Sequence, residues 1–264
     1  MGDGKDAGAL LGRFCWPEAN VKDTAAAKAF YTGLFGWTVR EEPSGGYAEW
    51  QVGGKSLGGL IGLGAEREKM GIPPHWIAYV AVASADETAA KVRKHGGKVL
   101  HGPFSLPGVG RFASIQDPTG AHFALYQAER PGEAPPSGIP GTMCWNELAT
   151  PDTGRAGTFY EGVFGWTRQV MPMATPSGDY TVFLKDGAMA AGMMEMKGEW
   201  WGDAPPHWMT YFSVADCDGS AAKAASLGGK VIVPPTDIPN VGRFAVIGDP
   251  QGAVFSILRH AAPG

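Results

Sequence analysis

Cysteine is scarce in this chain, three in 264 residues. Cys15 and Cys144 occupy matching places in an internal repeat and Cys217 has no counterpart, so no disulfide framework is expected and all three read as small buried filler. Long apolar runs are missing too: none approaches the ~18 to 20 residues of a membrane-spanning helix. The opening stretch MGDGKDAGALLG is Gly-rich and acidic where a secretory signal would be basic and then apolar. These absences predict a soluble, cytoplasmic protein with no membrane partner. Charge is modest and balanced, 22 Lys and Arg against 26 Asp and Glu for a net −4, and the basic residues are scattered rather than striped. That pattern argues against a nucleic-acid partner. No CxxC pair and no defensible Ser-His-Asp order is present, and GKSLGG at 54–59 lacks the strand-to-helix context of a phosphate loop.

What the chain does have is a second copy of itself. GRFCWPEANVKDTAAAKAFYTGLFGWTV at 12–39 returns as GTMCWNELATPDTGRAGTFYEGVFGWTR at 141–168, with half of the positions identical. IPPHWIAYV at 72–80 recurs as APPHWMTYF at 204–212, and PGVGRFASIQDPTGAHF at 107–123 as PNVGRFAVIGDPQGAVF at 239–255. The reading is a flexible N-terminus at 1–11, a domain at 12–127, a Pro- and Gly-rich linker at 128–140, a second domain at 141–259 and a tail at 260–264.

Each repeat divides again. Phe14 to Glu18 reads as a strand, Asp23 and Thr24 cap a helix AAAKAFYTGLF, and Gly36 stops it. Strands follow near Trp37–Arg40, Tyr47–Val52 and Ser56–Leu63. From Trp76 the order returns: a strand to Val82, a helix over Ala85–His95, then strands at 98–100, 111–116 and 122–126. Each repeat therefore holds two β-α-β-β-β units, and the chain four.

Paired β-α-β-β-β units, with FYxxLFGW closing the first helix and GRFAxxxDPxGAxF forming the last hairpin, resemble the vicinal oxygen chelate superfamily of glyoxalases, bleomycin-resistance proteins and extradiol dioxygenases. The resemblance implies an α+β fold: four β-α-β-β-β units forming two glyoxalase-like domains with cup-shaped mixed sheets. It also implies a cup whose inward side chains hold a divalent metal. At the positions where relatives carry ligands, this chain has Trp16 and Trp145, Ile77 and Met209, and Ala124 and Ser256. None suits zinc, nickel, manganese or iron. Strand alternation opens an alternative, because residues two places away share a face. Glu18, His75 and His122 then face the first cup, and Glu147 and His207 the second, where Val254 replaces the third ligand. Some relatives exchange units between repeats, which would bring Glu147 to His75 and His122; both pairings stay open.

Two functional readings follow from the resemblance. In the first, Trp16, Trp145, Tyr79 and Tyr211, with Ile77, Met209, Ala124 and Ser256, line a metal-free cup that binds, and can transform, a hydrophobic or aromatic carbonyl-bearing metabolite. His75 or His207 would then move a proton with Glu18 or Glu147 as partner. In the second, one divalent ion (Zn, Ni, Mn or Fe) sits on Glu18, Glu147, His75 and His122 in a lyase, isomerase or dioxygenase-like enzyme. Each residue also has a plain reading. His75 and His207 follow Pro-Pro and could bond a backbone carbonyl. Glu18 and Glu147 could pair with Arg111 and Arg243, His122 could be an ordinary exposed residue, and Trp16 and Trp145 could be filler. Trp37 and Trp166 read as core; Trp76, Trp200, Trp201 and Trp208 flank the histidine strands, and the Met-rich strand at 188–196 is an apolar wall or core. The expected partner is a small molecule, and the chain is expected to be a monomer or homodimer.

Overall fold

The computed structural model describes residues 10–43, 45–130, 133–172 and 178–261, without the side chain of Trp200. Residues 1–9 of the expected flexible N-terminus and the last three residues of the tail lie outside the described residues. The first repeat runs β1 (Phe14–Val21), α1 (Thr24–Phe35), β2 (Thr38–Glu41), β3 (Tyr47–Val52), β4 (Lys55–Gly62), a short α2 (Gly64–Lys69), β5 (His75–Ala81), α3 (Ala85–Lys94), β6 (Lys98–Leu106), β7 (Gly110–Gln116) and β8 (His122–Ala128). The second runs β9 (Met143–Thr150), α4 (Thr153–Phe164), β10 (Thr167–Met171), β11 (Tyr180–Lys185), β12 (Ala188–Glu195), β13 (His207–Ser213), α5 (Cys217–Ser226), β14 (Lys230–Ile238), β15 (Gly242–Gly248) and β16 (Val254–His260). This is the predicted α+β series of four β-α-β-β-β units. Strand β6 extends well past the expected Leu100, and α2, too short and polar to show a period, was not expected.

The helix ends follow the capping residues. Asp23 accepts from the backbone N–H groups of Ala25 and Ala26, and Gly36 ends α1 at φ 71°; Asp152 and Gly165 do the same for α4. Each repeat supplies one eight-stranded mixed sheet, in the orders β2-β3-β4-β1-β5-β8-β7-β6 and β10-β11-β12-β9-β13-β16-β15-β14. The hairpins are antiparallel, whereas β1 with β4 and β5 with β8 are parallel.

The compact units of the chain do not follow the repeats. One gathers residues 16–77, 135–145 and 209–264; the other gathers 78–134 and 146–208 with the chain up to Cys15. In the first, α1 packs with α5 in one hydrophobic core: Phe30, Tyr31, Leu34, Trp37, Trp50 and Trp76 meet Phe212, Cys217, Phe255 and Ile257. Gly33 sits mid-helix at a cost of about 1 kcal/mol relative to alanine, and a Cβ there would stand 3.1 Å from Leu227. The glycine is what lets the two helices meet closely. In the second unit α3 packs with α4, and Gly162 plays the same part beneath the ring of His95, 2.3 Å from where its Cβ would be.

One polar triad is buried in each core. The indole N–H of Trp76 donates to the Tyr31 hydroxyl at 2.9 Å, and that hydroxyl donates to Asp249 Oδ2 at 3.0 Å. Asp249 Oδ1 accepts from the N–H groups of Gln251 and Ala253 within its own DPQG turn. The other unit repeats the arrangement with Trp208, Tyr160 and Asp117 at 2.8 and 2.9 Å. The Tyr of the FYxxLFGW motif and the Asp of the DPxG motif are thus partners drawn from opposite repeats. Full satisfaction is what makes so polar a group tolerable inside a core. Trp37 and Trp166, both 2% exposed, complete the cores as expected.

Candidate functional site

Strand alternation sorts β1 into two faces. Ala19 and Val21 enter the hydrophobic core, so Trp16, Glu18 and Asn20 point to the opposite, open face. There the indole N–H of Trp16 donates to the Tyr47 hydroxyl at 3.1 Å, and that hydroxyl is hydrogen-bonded to Glu18. The Asn20 amide donates to Glu18 Oε1 at 3.2 Å, and Arg67, on the exposed α2, donates to Asn20 Oδ1 at 3.1 Å. Glu18 is 8% exposed and Asn20 2%. Burial, and then the charge of Glu18, push the Tyr47 hydroxyl far above the ordinary phenol range, so it stands as a neutral phenol. Glycine makes the contact possible: Gly59 lies opposite Glu18 in register, and a Cβ on it would fall 2.2 Å from the Tyr47 oxygen. The expected pairing of Glu18 with an arginine of the VGRF motif is corrected here. Arg111 binds Asp86 at 2.6 and 2.9 Å, and Arg243 binds Asp218 at 2.7 and 2.9 Å. Each ties its hairpin to the helix before it.

His75 lies in the same compact unit as Glu18, and its Nδ1 bonds the Pro73 carbonyl at 2.8 Å. His207 does the same with the Pro205 carbonyl at 2.8 Å, in the other unit with Glu147. In both rings Nδ1 carries the proton and Nε2 is the basic nitrogen. Burial lowers the pKa of His207, opposed by the Pro205 carbonyl.

The half-sheet of β6, β7 and β8 has its own open face. Ala113, Ile115, Phe123 and Leu125 are buried on the helix side, which leaves Phe112, Ser114, Gln116, His122, Ala124 and Tyr126 on the other. Tyr79 stands beside Ala124, and Phe104 beside Phe112. The rings form a row: Phe104 to Phe112 with centroids 5.8 Å apart and planes at 29°, Phe112 to Tyr126 at 5.1 Å and 24°. Tyr79 meets Phe112 edge-on at 6.1 Å, and His101 lies 5.0 Å from Phe104. Phe104 is 43% exposed, and Ala124 with Ser114 makes a low floor beside the rings. At the far end His122 Nε2 meets the Gln116 amide at 2.9 Å, and burial lowers its pKa against the pull of Asp117. The equivalent face of β14, β15 and β16 carries Tyr211 and Phe244, centroids 6.5 Å apart, with Ser256 in register beside Tyr211.

The metal-ligand set of the second reading does not come together as a set. Among the described residues no group of three His, Cys, Asp or Glu side chains could hold a metal ion. Glu18 is engaged by the Asn20 amide and the Tyr47 phenol. The cysteines are filler in the expected sense: Cys15 and Cys144 donate to the carbonyls of Tyr79 and Tyr211, and burial pushes both thiols up to about 12. Tyr47, Asn20, Arg67, Phe104, Phe112 and Tyr126 were not singled out from the sequence, although parity along β3, β7 and β8 places Tyr47, Phe112 and Tyr126 on their open faces.

The family described as "Glyoxalase/Bleomycin resistance protein/Dioxygenase superfamily" matches residues 13–125 and again 142–257. A Mycobacterium bovis protein provisionally named glyoxylase CFP32 is 41% identical over 252 residues, covering 93% of this chain and 94% of that protein. The anthracycline biosynthesis protein DauV of Streptomyces sp. strain C5 is 36% identical over 265 residues, 94% of each. Among solved structures, the Mn(II)-bound glyoxalase of Novosphingobium aromaticivorans aligns with a TM-score of 0.65 at 17% identity, over 95% of this chain and 82% of that one. The 2,3-dioxygenase LapB of Pseudomonas sp. KL28 aligns at 0.64 and 12% identity, over 96% of each. At such identities the two structures show a shared fold.

Proposed function

This chain belongs to the glyoxalase/bleomycin resistance protein/dioxygenase superfamily, and from that premise we propose that it binds a planar, carbonyl-bearing aromatic small molecule. The observation that carries the reading is the row of stacked, partly exposed rings formed by Phe104, Phe112 and Tyr126, with Tyr79 edge-on and Ala124 as floor. Half-exposed rings stacked at the surface of a sheet are costly to leave in water and match the flat face of a fused-ring ligand. A relative named as an anthracycline biosynthesis protein supports that ligand class.

The proton-transfer group of a catalytic site is His75 with Glu18 as its partner or His207 with Glu147, each pair lying within one compact unit. The prolyl carbonyls hold each imidazole in one tautomer, with Nε2 as the nitrogen that takes a proton, which suits general acid-base work. The metal-dependent reading lacks such support, because among the described residues no three His, Cys, Asp or Glu side chains group to hold an ion.

Titration calorimetry with anthraquinone-2-sulfonate tests the proposal. Saturable binding is expected, weakened about tenfold by Phe112→Ala, as the loss of one aromatic contact implies, with an unchanged circular dichroism spectrum. A wild-type chain that shows no saturable heat, or a variant that binds as well as wild type, would sink it.

A further inference from the structure

A duplicated chain carries its own control. What the fold requires is kept in both copies: Tyr31 and Tyr160, Asp249 and Asp117, Trp76 and Trp208, Trp37 and Trp166 perform identical tasks in the two cores. What one copy has and the other lacks is dispensable for folding. Strand register fixes the comparison. Phe104, beside Phe112, corresponds to Thr236 beside Phe244; Tyr126 corresponds to Leu258; and His101, beside Ser114, corresponds to Val233 beside Val246.

The first face thus has a continuous row of rings where the second has a threonine, a valine and a leucine around one phenylalanine. Exposure separates them as well. Tyr79 and Tyr126 are partly exposed, whereas their counterparts Tyr211 and Leu258 are 6% and 4% exposed. Thr236, Phe244 and Val246 keep some exposure, so the contrast lies in the rings: Tyr79 and Tyr126 are available to a ligand where Tyr211 and Leu258 are packed away.

We infer that the ligand site is built on the first repeat alone, on the open face of β6, β7 and β8, and that the matching face of β14, β15 and β16 is scaffold. The chain then takes one flat aromatic molecule, not two. Specificity resides in Phe104 and Tyr126, the two rings that the second copy does without, and their substitution by the residues of that copy is structurally safe because the same register already accommodates them. This inference rests on the aromatic-ligand reading above and adds to it a location and a stoichiometry.

The test is calorimetry of the full chain with anthraquinone-2-sulfonate, comparing wild type, a double variant Phe104→Thr/Tyr126→Leu, and Phe244→Ala. One molecule bound per chain is expected, with affinity reduced at least about tenfold in the double variant and unchanged in Phe244→Ala. Two molecules per chain, or equal losses in the two variants, would overturn the single-site inference while leaving the aromatic-ligand reading intact. No binding by wild type would overturn both.

Discussion

Tyr31 and Asp249 stand 218 residues apart in the sequence and 3.0 Å apart in the core, phenol to carboxylate. Because the mirror pair Tyr160 and Asp117 does the same in the other unit, the two motifs that mark each repeat are complementary halves of a lock completed by the opposite repeat. Removing the phenol oxygen strips one bond from a buried carboxylate and the acceptor from Trp76. Tyr31→Phe is therefore expected to lower the unfolding free energy by about 1.5–3 kcal/mol, the range for hydrogen bonds to charged groups. Urea denaturation followed by tryptophan fluorescence reads this directly, and Tyr160→Phe should lose a similar amount.

His207 gives the chain an acid-side weakness. Burial places its folded pKa below the unfolded value of about 6.5. Above that value the ring is neutral in both states and contributes no slope. As pH falls through it, the unfolded chain takes up the proton first, so stability drops until the folded pKa is passed. Denaturation midpoints at pH 7 and pH 5 should show a smaller drop in His207→Gln than in wild type; parallel drops would mean that His207 does not contribute.

Ser256 carries a buried hydroxyl with no hydrogen-bond partner among the described residues. Its counterpart in the first repeat is Ala124, which shows that the register accepts a bare methyl. Replacing an unsatisfied polar group by an apolar one removes a desolvation cost of about 1–3 kcal/mol. Ser256→Ala is expected to raise the melting temperature. Ligand affinity should not change if the second face is scaffold, and a weakened complex would identify the hydroxyl as a ligand contact.

Metal analysis separates the two readings of the resemblance. With Glu18 held by Asn20 and Tyr47, and with no ligand triad among the described residues, protein purified without chelator and then offered manganese, iron, nickel or zinc should retain well under one ion per chain. Stoichiometric metal that disappears in His75→Ala would restore the metal-dependent reading.

The sequence was most legible where structure is local. Asp23 and Gly36 announce the ends of α1, the alternation on β1 separates Glu18 from Ala19, and the repeat itself counts the units. Contacts chosen by tertiary packing were not legible. Nothing near Glu18 indicates that its partners are Asn20 and Tyr47 rather than Arg111, because that choice depends on which strand lies alongside and on a glycine at position 59 that leaves room for a phenol. The ring row was half visible: Phe112 and Tyr126 share a face by parity, but Phe104 joins them only through the shifted register of β6 against β7, and such shifts leave no local mark.

Since each compact unit draws on both repeats, the two repeats behave as a pair of subunits that happen to be tethered. A single backbone cut between residues 133 and 140 should leave fragments that still elute together under native conditions and separate only in denaturant, and neither fragment expressed alone should refold to a monomer. For anyone engineering the protein, the useful place to divide it is therefore in the connection between the repeats, where co-expressed halves can act as a reconstituting pair whose assembly reports on both cores at once.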